Sequence, residues 1–364
     1  HKPLEYVNFA ESFAEFDYII AHGVFSWIPQ HTQDALLSLL GTRLRSQGVA
    51  YVSYNALPGW HMGQSLRELL RYHVGGDENV RVCVAHAREI LELLSESLSL
   101  SPVASDMAKL EAVNKLLDMP DWYIFHEYLA LDNHPCLVSS FLQRAESHGL
   151  QYIADADLSI TSDDILEGDL KEKLSKYSST RVQREQYIDF FSNRLMRRSV
   201  LCRSAVELCQ QPLADKIAEF WLASPARLLG PGTDSAEMDS DVGVGEVFEI
   251  PGRGTITCQN RLTAAAFRHL SQIWPESIEF EQLYHIAHDL VPEDCDSQSK
   301  QELCFALQQM FFKGVLKLDQ GRLPYTSDIS ECPKVDPLVQ VEAQMRTRVT
   351  LSLIHISEPT RPSS

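Results

Sequence analysis

The sequence predicts an α/β protein: part of a doubly wound parallel sheet, interrupted by an all-α insert and followed by a smaller α+β domain. Three observations carry this reading. Within residues 1–206, short and nearly continuous apolar runs alternate with amphipathic segments, the pattern of parallel strands covered on both faces. Residues 77–147 show helical periodicity and no strand-like run. Beyond residue 245, a hairpin signal precedes three helical segments and a second turn.

The elements follow in order. Leu4 to Phe9 is a short apolar run, and Phe16-Asp17-Tyr18-Ile19-Ile20-Ala21 is a stronger one. Residues 22–29 read as a loop. Thr32 to Leu44 carries leucines at helical spacing, Gly48 stops it, and Val49 to Tyr54 forms the next strand. Right-handed crossovers make these strands parallel. Ligands in such sheets bind beyond the carboxyl ends of the strands, here Phe9/Ala10, His22/Gly23 and Tyr54/Asn55. Helices are expected at 64–74, 79–98, 105–117, 122–129 and 137–146. The sheet resumes with a strand at 149–153, helical stretches at 162–176 and 184–194, and a last strand at 198–202. The insert would leave the ligand-binding edge of the sheet, where it could act as a lid or serve only as a packed layer.

Residues 208–229 are expected to be helical and to lead into a Gly/Pro/Asp/Ser-rich linker. Val247 to Ile250 and Thr255 to Cys258 make a hairpin. Helices at 262–274, 280–290 and 300–312, then strands at 315–318 and 323–325, give a winged-helix-like pattern. The expected divisions are therefore 1–76, 77–147, 148–206, 207–258, 259–335 and a tail, 336–364.

At 364 residues and 44% hydrophobic content, the chain has enough length and apolar matter for several cores. Its net charge of -18 opposes general binding to nucleic acid or anionic membranes. Within 262–326, five basic residues face nine acidic ones, so the winged-helix-like segment reads as a protein-interaction or stabilising module. Residues 77–180 hold eight basic and nineteen acidic residues, either a solvated face or a surface for a basic partner. Eight cysteines occur without a C-x-x-C pair, which argues for reduced thiols and a cytoplasmic protein rather than a zinc site or disulfide framework. No segment reads as a membrane span or signal peptide. His285 and His288 read as an ordinary helix pair, not metal ligands.

Two motifs carry a resemblance: F-D-Y-I-I-A-H-G-V-F-S-W at 16–27 and L-R-S-Q-G-V-A-Y-V-S-Y-N-A-L-P-G-W at 44–60. With W-Y-I-F-H-E-Y-L at 122–129, H-G-L-Q-Y-I-A-D-A at 148–156 and E-Q-Y-I-D-F-F-S-N-R at 185–194, the chain resembles a class I S-adenosylmethionine-dependent methyltransferase with a methyltransferase regulatory domain. Some relatives in that group act as protein lysine methyltransferases. The resemblance implies a Rossmann-like sheet, S-adenosyl-L-methionine as cofactor, and a protein lysine or other amine as acceptor. The family's glycine-rich loop has no counterpart here. Gly243-Val244-Gly245-Glu246 lacks the third glycine and follows no strand. The loop is therefore expected upstream, on the order of 70–110 residues away by the size of a mononucleotide-binding half. Residues 351–364 resemble a translated sequencing adapter. The chain is thus expected to be a fragment, inactive alone.

Methyl transfer needs alignment and a free lone pair on the acceptor. On the resemblance, His22, Tyr54 and Asn55 are the candidate catalytic residues. Phe25, Ser26, Trp27, Pro58, Gly59 and Trp60 are expected to line the acceptor slot, with His126 and Glu127 closing over it. Asn8, Ala10, His22 and Gly23 are candidates for cofactor contact. Aromatic faces hold an ammonium well, although Trp27 and Trp60 could equally be packing residues. The alternative function is a non-catalytic module that binds a protein partner through the acidic helical insert.

Overall fold

The computed structural model describes residues 15–75, 79–101, 103–157, 169–209, 214–231, 245–252, 254–292, 298–322 and 337. The apolar run at Leu4 to Phe9, the expected linker at 232–244, the expected strand at 323–325 and residues 351–364 lie outside them. The fold is mixed α/β and divides into two compact units, with the main break between Pro212 and Leu213.

The first unit is built on a four-stranded sheet of order β1-β2-β4-β3. Strand β1 (Phe16–Ala21) runs parallel to β2 (Leu44–Asn55), and helix α1 (Gln30–Arg43) makes the crossover. Strand β4 (Met196–Arg203) lies antiparallel between β2 and β3 (Leu150–Asp155). α1 carries Leu36, Leu37 and Leu40 into a core shared with Ala50, Val52, Phe141 and Leu201. Coverage of β1 on both faces was expected. Instead Phe16, Tyr18 and Ile20 are exposed while Ala21 is buried, because the described helices pack on the other face.

Between β2 and β3 the chain is helical: α2 (Trp60–Val74), α3 (Val80–Ser99), α4 (Ala104–Leu117), α5 (Asp121–Ile124) with a π-helical turn at Phe125–Leu129, and α6 (Val138–Ser147). Helix α2 starts four residues before its expected beginning. Leu66, Leu70, Leu91, Val113, Leu116 and Ile124 form a separate core for this layer. Asn79 caps α3 by accepting from the Arg81 and Val82 N–H groups.

After β3 come α7 (Leu170–Ser175) and α8 (Arg181–Ser192). α8 opens with a capping box between Thr180 and Gln183 and ends at Asn193, whose φ of 47° closes the helix in the left-handed region. Beside it lies a buried charge cluster. Arg197 on β4 is fully buried; its guanidinium donates to both Asp189 oxygens, to Glu185 Oε2 at 2.7 Å and to the Tyr152 hydroxyl. Arg194 approaches Asp189 at 2.6 Å. These contacts lock the end of α8 to the sheet.

In the second unit, the described residues of the expected helix at 208–229 do not form one. A 3-10 turn at Ala214–Glu219 is followed by β5 (Trp221–Ala223) and β6 (Arg227–Pro231). Pro225 breaks any helix through this stretch, having no N–H and clashing with the preceding turn. The hairpin forms as β7 (Glu246–Ile250) and β8 (Gly254–Cys258), and joins β6 in one sheet. Helices α9 (Arg261–Ile273), α10 (Phe280–Leu290) and α11 (Ser299–Phe312) pack around Phe248, Phe267, Leu270, Phe280, Leu283 and Leu307. β9 (Ile278–Glu279) and β10 (Lys317–Asp319) flank β5 in a third sheet.

Arg197→Met removes the guanidinium that Asp189 and Glu185 share inside the protein, leaving Arg194 on Asp189. We expect a loss of about 3–5 kcal/mol, read as a lowered urea midpoint; an unchanged midpoint would mean the cluster contributes nothing.

Candidate active site

The carboxyl ends of β1 and β2 form the floor of a cavity of about 650 Å3, within the range of small-molecule sites. Its parts are placed by backbone geometry. After β1, Gly23 turns with φ of 66°, a conformation that favours glycine. Its N–H donates to Ser53 Oγ at 2.7 Å. The 3-10 turn Phe25–Trp27 then sends neighbouring side chains in different directions. Phe25 is fully buried and packs edge-on against Phe141. Ser26 Oγ accepts from the Asn55 N–H at 2.8 Å, and Trp27 reaches the cavity.

At the end of β2, Gly59 is required by close approach. A Cβ there would stand 2.3 Å from the Arg194 carbonyl oxygen. The Gly59 N–H instead donates to that oxygen at 3.2 Å. Gly63 serves the neighbouring indole: a Cβ on it would meet the Trp60 ring at 2.7 Å. Trp60 therefore lies against α2 and meets Trp27 edge-on, with centroids 6.3 Å apart. The π-helical turn completes the wall. His126 lies 4.7 Å from the Trp27 ring, and Tyr128 lies 6.2 Å from Trp60. Arg67 on α2 fixes the chain just beyond, donating to the Ala130 and Leu131 carbonyls.

Glu127 is the carboxylate in this wall that burial perturbs. Burial raises its pKa, against the opposing pull of His126 and Arg67, and His126 Nε2 stands 3.8 Å from its carboxylate. Burial also pushes the Tyr128 hydroxyl up to about 12. Polar atoms on the floor are largely engaged: Asn55 Nδ2 donates to Asn133 Oδ1 at 3.2 Å.

Of the residues singled out from the sequence, the cavity gathers Gly23, Ser26, Trp27, Tyr54, Asn55, Gly59, Trp60, His126 and Glu127. Three fall outside its lining. Phe25 is a core residue, because the 3-10 turn points it inward. His22 is exposed and rests on Tyr51, its Nδ1 2.9 Å from the hydroxyl. Pro58 shapes the turn without lining it. Within the lining, the Tyr54 hydroxyl pairs with Ser199 Oγ at 3.1 Å and its ring stacks on Phe141. Burial raises its pKa well above the ordinary value. Asn8 and Ala10 lie outside the described residues. Sequence reasoning missed Tyr123, Tyr128, Met62, Met119, Leu195 and Met196, which also line the space. The aromatic density of residues 122–128 was the available signal for the first two.

Residues 120–203 match the family described as "Predicted methyltransferase regulatory domain". The chain thus resembles a methyltransferase that carries this domain. PKMT2 from Rickettsia typhi shares the fold, with a TM-score of 0.72, 25% identity and 92% of this chain covered. The same protein solved in complex with AdoHcy gives a TM-score of 0.73. The uncharacterized protein RP789 of Rickettsia prowazekii is 35% identical over 212 residues, which is 58% of this chain and 38% of that protein. The uncharacterized protein sll1526 of Synechocystis is 26% identical over 209 residues, 57% of this chain and 40% of its own length. The chain spans 64% of PKMT2 and less than half of these two curated relatives.

For an acid whose folded-state pKa is raised, stability is fully present below the unfolded value and falls as pH rises through the folded one. Glu127 should therefore cost the fold stability as pH climbs above 4.5. Glu127→Gln should flatten that decline in a thermal-melting series from pH 4 to 8; parallel curves for the two proteins would contradict the assignment.

Proposed function

We propose that this chain is part of an S-adenosylmethionine-dependent methyltransferase whose acceptor is a protein lysine or another amine. The observation that carries the reading is the aromatic cavity at the carboxyl edge of β1 and β2, the edge at which doubly wound sheets bind ligands. The likeness to PKMT2, solved with AdoHcy, supports the cofactor, since AdoHcy is what remains after the methyl group leaves.

The residues fit such a group. Gly23 lines the cavity, and the place where its Cβ would stand is open, so backbone can approach a ligand closely there. When bound, S-adenosylmethionine supplies a methyl already activated on a sulfonium. The protein's share is then to bind, orient and exclude water. The faces of Trp27, Trp60 and Tyr128 receive the acceptor as an ammonium. Glu127, whose pKa is raised by burial, takes the proton that the amine must lose before its lone pair is free. Asn55 and Ser26 hold the two floor loops together rather than react.

We assign the helices between β2 and β3 the role of a lid. Trp60, Met62, Gly63 and Leu66 of α2, together with Ala108, Ala112 and Leu116 of α4, wall the cavity opposite the sheet edge. No helix among the described residues is long and apolar enough to cross a membrane.

The test is transfer of labelled methyl from S-adenosylmethionine by the full product of this gene to a lysine peptide. Trp60→Ala should lower kcat/KM by roughly 10- to 100-fold. Undiminished transfer would remove the cavity from the mechanism, and absence of transfer by the unmodified protein would remove the function itself.

A further inference from the structure

The exposed face of α8 and the residues after it carry an unusual load of large apolar side chains. Tyr187, Phe190, Phe191, Leu195 and Met196 are all exposed, Phe191 at 62% and Leu195 at 61%. Tyr187 and Phe191 are one helical turn apart, with ring centroids 6.2 Å from each other. Five such residues within ten positions form a patch rather than the scattered single exposures normal for a protein surface.

The patch is continuous with the cavity. Leu195 and Met196 belong to both. The join is made by backbone: the Leu195 carbonyl accepts from the Ala56 N–H at 2.9 Å, and the Arg194 carbonyl accepts from the Gly59 N–H. The ledge therefore abuts the turn that leads into Trp60. It also carries no exposed carboxylate. Its two acids, Glu185 and Asp189, are turned inward onto Arg197. In a chain of net charge -18, this is a neutral apolar strip leading to the mouth of a cation-friendly cavity.

We propose that this ledge is the docking surface for the acceptor, and that the acceptor is a polypeptide with large apolar side chains flanking its lysine. The inference rests on the proposed function of the cavity and narrows its substrate class. A small free amine would fill the cavity and leave the ledge bare. A polypeptide reaching in with a lysine must lay its neighbouring residues on the rim, and the rim offers apolar contact. Recognition there comes from desolvated apolar area, which added salt does not screen. That separates the ledge from the acidic surface of residues 77–180, where a basic partner would be lost at high salt.

The experiment uses the chain as it stands and fluorescence anisotropy with two labelled peptides, each with one central lysine. One is flanked by Phe and Leu, the other by Ser and Gly. The apolar-flanked peptide should bind about tenfold more tightly, the worth of burying one large side chain, and should keep that advantage in 0.5 M salt. Phe191→Ser and Tyr187→Ser should each erase most of the advantage. Tyr72→Ser, at an exposed aromatic on α2, should not. Circular dichroism checks that each variant keeps its helices. Equal affinity for the two peptides, or an advantage that survives both ledge variants, overturns the proposal. So does a chain that sediments as a dimer and becomes a monomer on Phe191→Ser, because the ledge would then be covered by a second copy. Peptide binding is read without methyl transfer, so the two ideas fail separately. Transfer with no flank preference sinks the ledge alone. Flank-dependent binding by a full-length protein that transfers no methyl sinks the enzymatic reading alone.

Discussion

Three separate segments of chain meet at the carboxyl end of β2, and backbone hydrogen bonding forces the meeting. A strand that leaves its sheet must still satisfy its last N–H and C=O groups. Here the Asn55 N–H goes to Ser26 Oγ, the Asn55 carbonyl accepts from Cys136, the Ala56 N–H goes to Leu195, and the Leu57 N–H goes to Cys136. The loop after β1, the stretch before α6 and the entrance to β4 are thereby fixed around one point. The cavity floor is what they enclose. Gly59 extends the same constraint, since the Arg194 carbonyl approaches too closely for any side chain to be carried there.

The wall above that floor is held from two sides. Below, the Arg197 cluster fixes the end of α8 and so the path from Asn193 to Met196. Above, Arg67 and Arg71 reach from α2 to the carbonyls at Ala130 and Leu131, just past the π-helical turn. The same stretch returns to the floor through Asn133 and His134, bonded to Asn55 and Ser26. Residues 130–136 thus brace the helical layer against the sheet edge. A change in the seating of α2 or of the π-helical turn is transmitted to Asn55 and Ser26 through direct bonds.

Much of this was legible in the sequence where periodicity and position suffice. The parallel pair β1 and β2, the helices up to α6 and the hairpin of the second unit follow from apolar spacing and turn residues. The place of the cavity follows from the rule that ligands in such sheets bind at strand ends, and Gly23, Ser26, Trp27, Asn55 and Trp60 line it. What escaped depends on direction and on distant partners. Phe25 and Trp27 are two residues apart, yet a single 3-10 turn sends one to the core and the other to the cavity. The Tyr54 hydroxyl is engaged by Ser199, a partner far along the chain. Leu195 and Met196 reach the cavity only because β4 enters the sheet between β2 and β3, an order that no local pattern encodes. The helix expected at 208–229 fails for a local reason: Pro225 cannot sit inside a helix, and strands β5 and β6 lie on either side of it.

The placement of charge bears on how such a cavity would work. A carboxylate taken from water into an apolar wall is costly unless it is paired or bonded. Asp189 meets that cost with two arginines and serves the fold. Glu127 does not: His126 is 3.8 Å away and half exposed, and Arg67 is committed to backbone carbonyls. Burial raises the pKa of both carboxylates, against the pull of the arginines at Asp189 and of His126 and Arg67 at Glu127. A structural role would be met more cheaply by glutamine, which keeps the shape and removes the charge. A cationic ligand brought against Trp27, Trp60 and Tyr128 would add a counter-charge beside Glu127. On the proposed reading, the strain placed on Glu127 in the free protein is relieved by the acceptor's ammonium. The same group is then positioned to accept the proton whose departure frees the nitrogen lone pair.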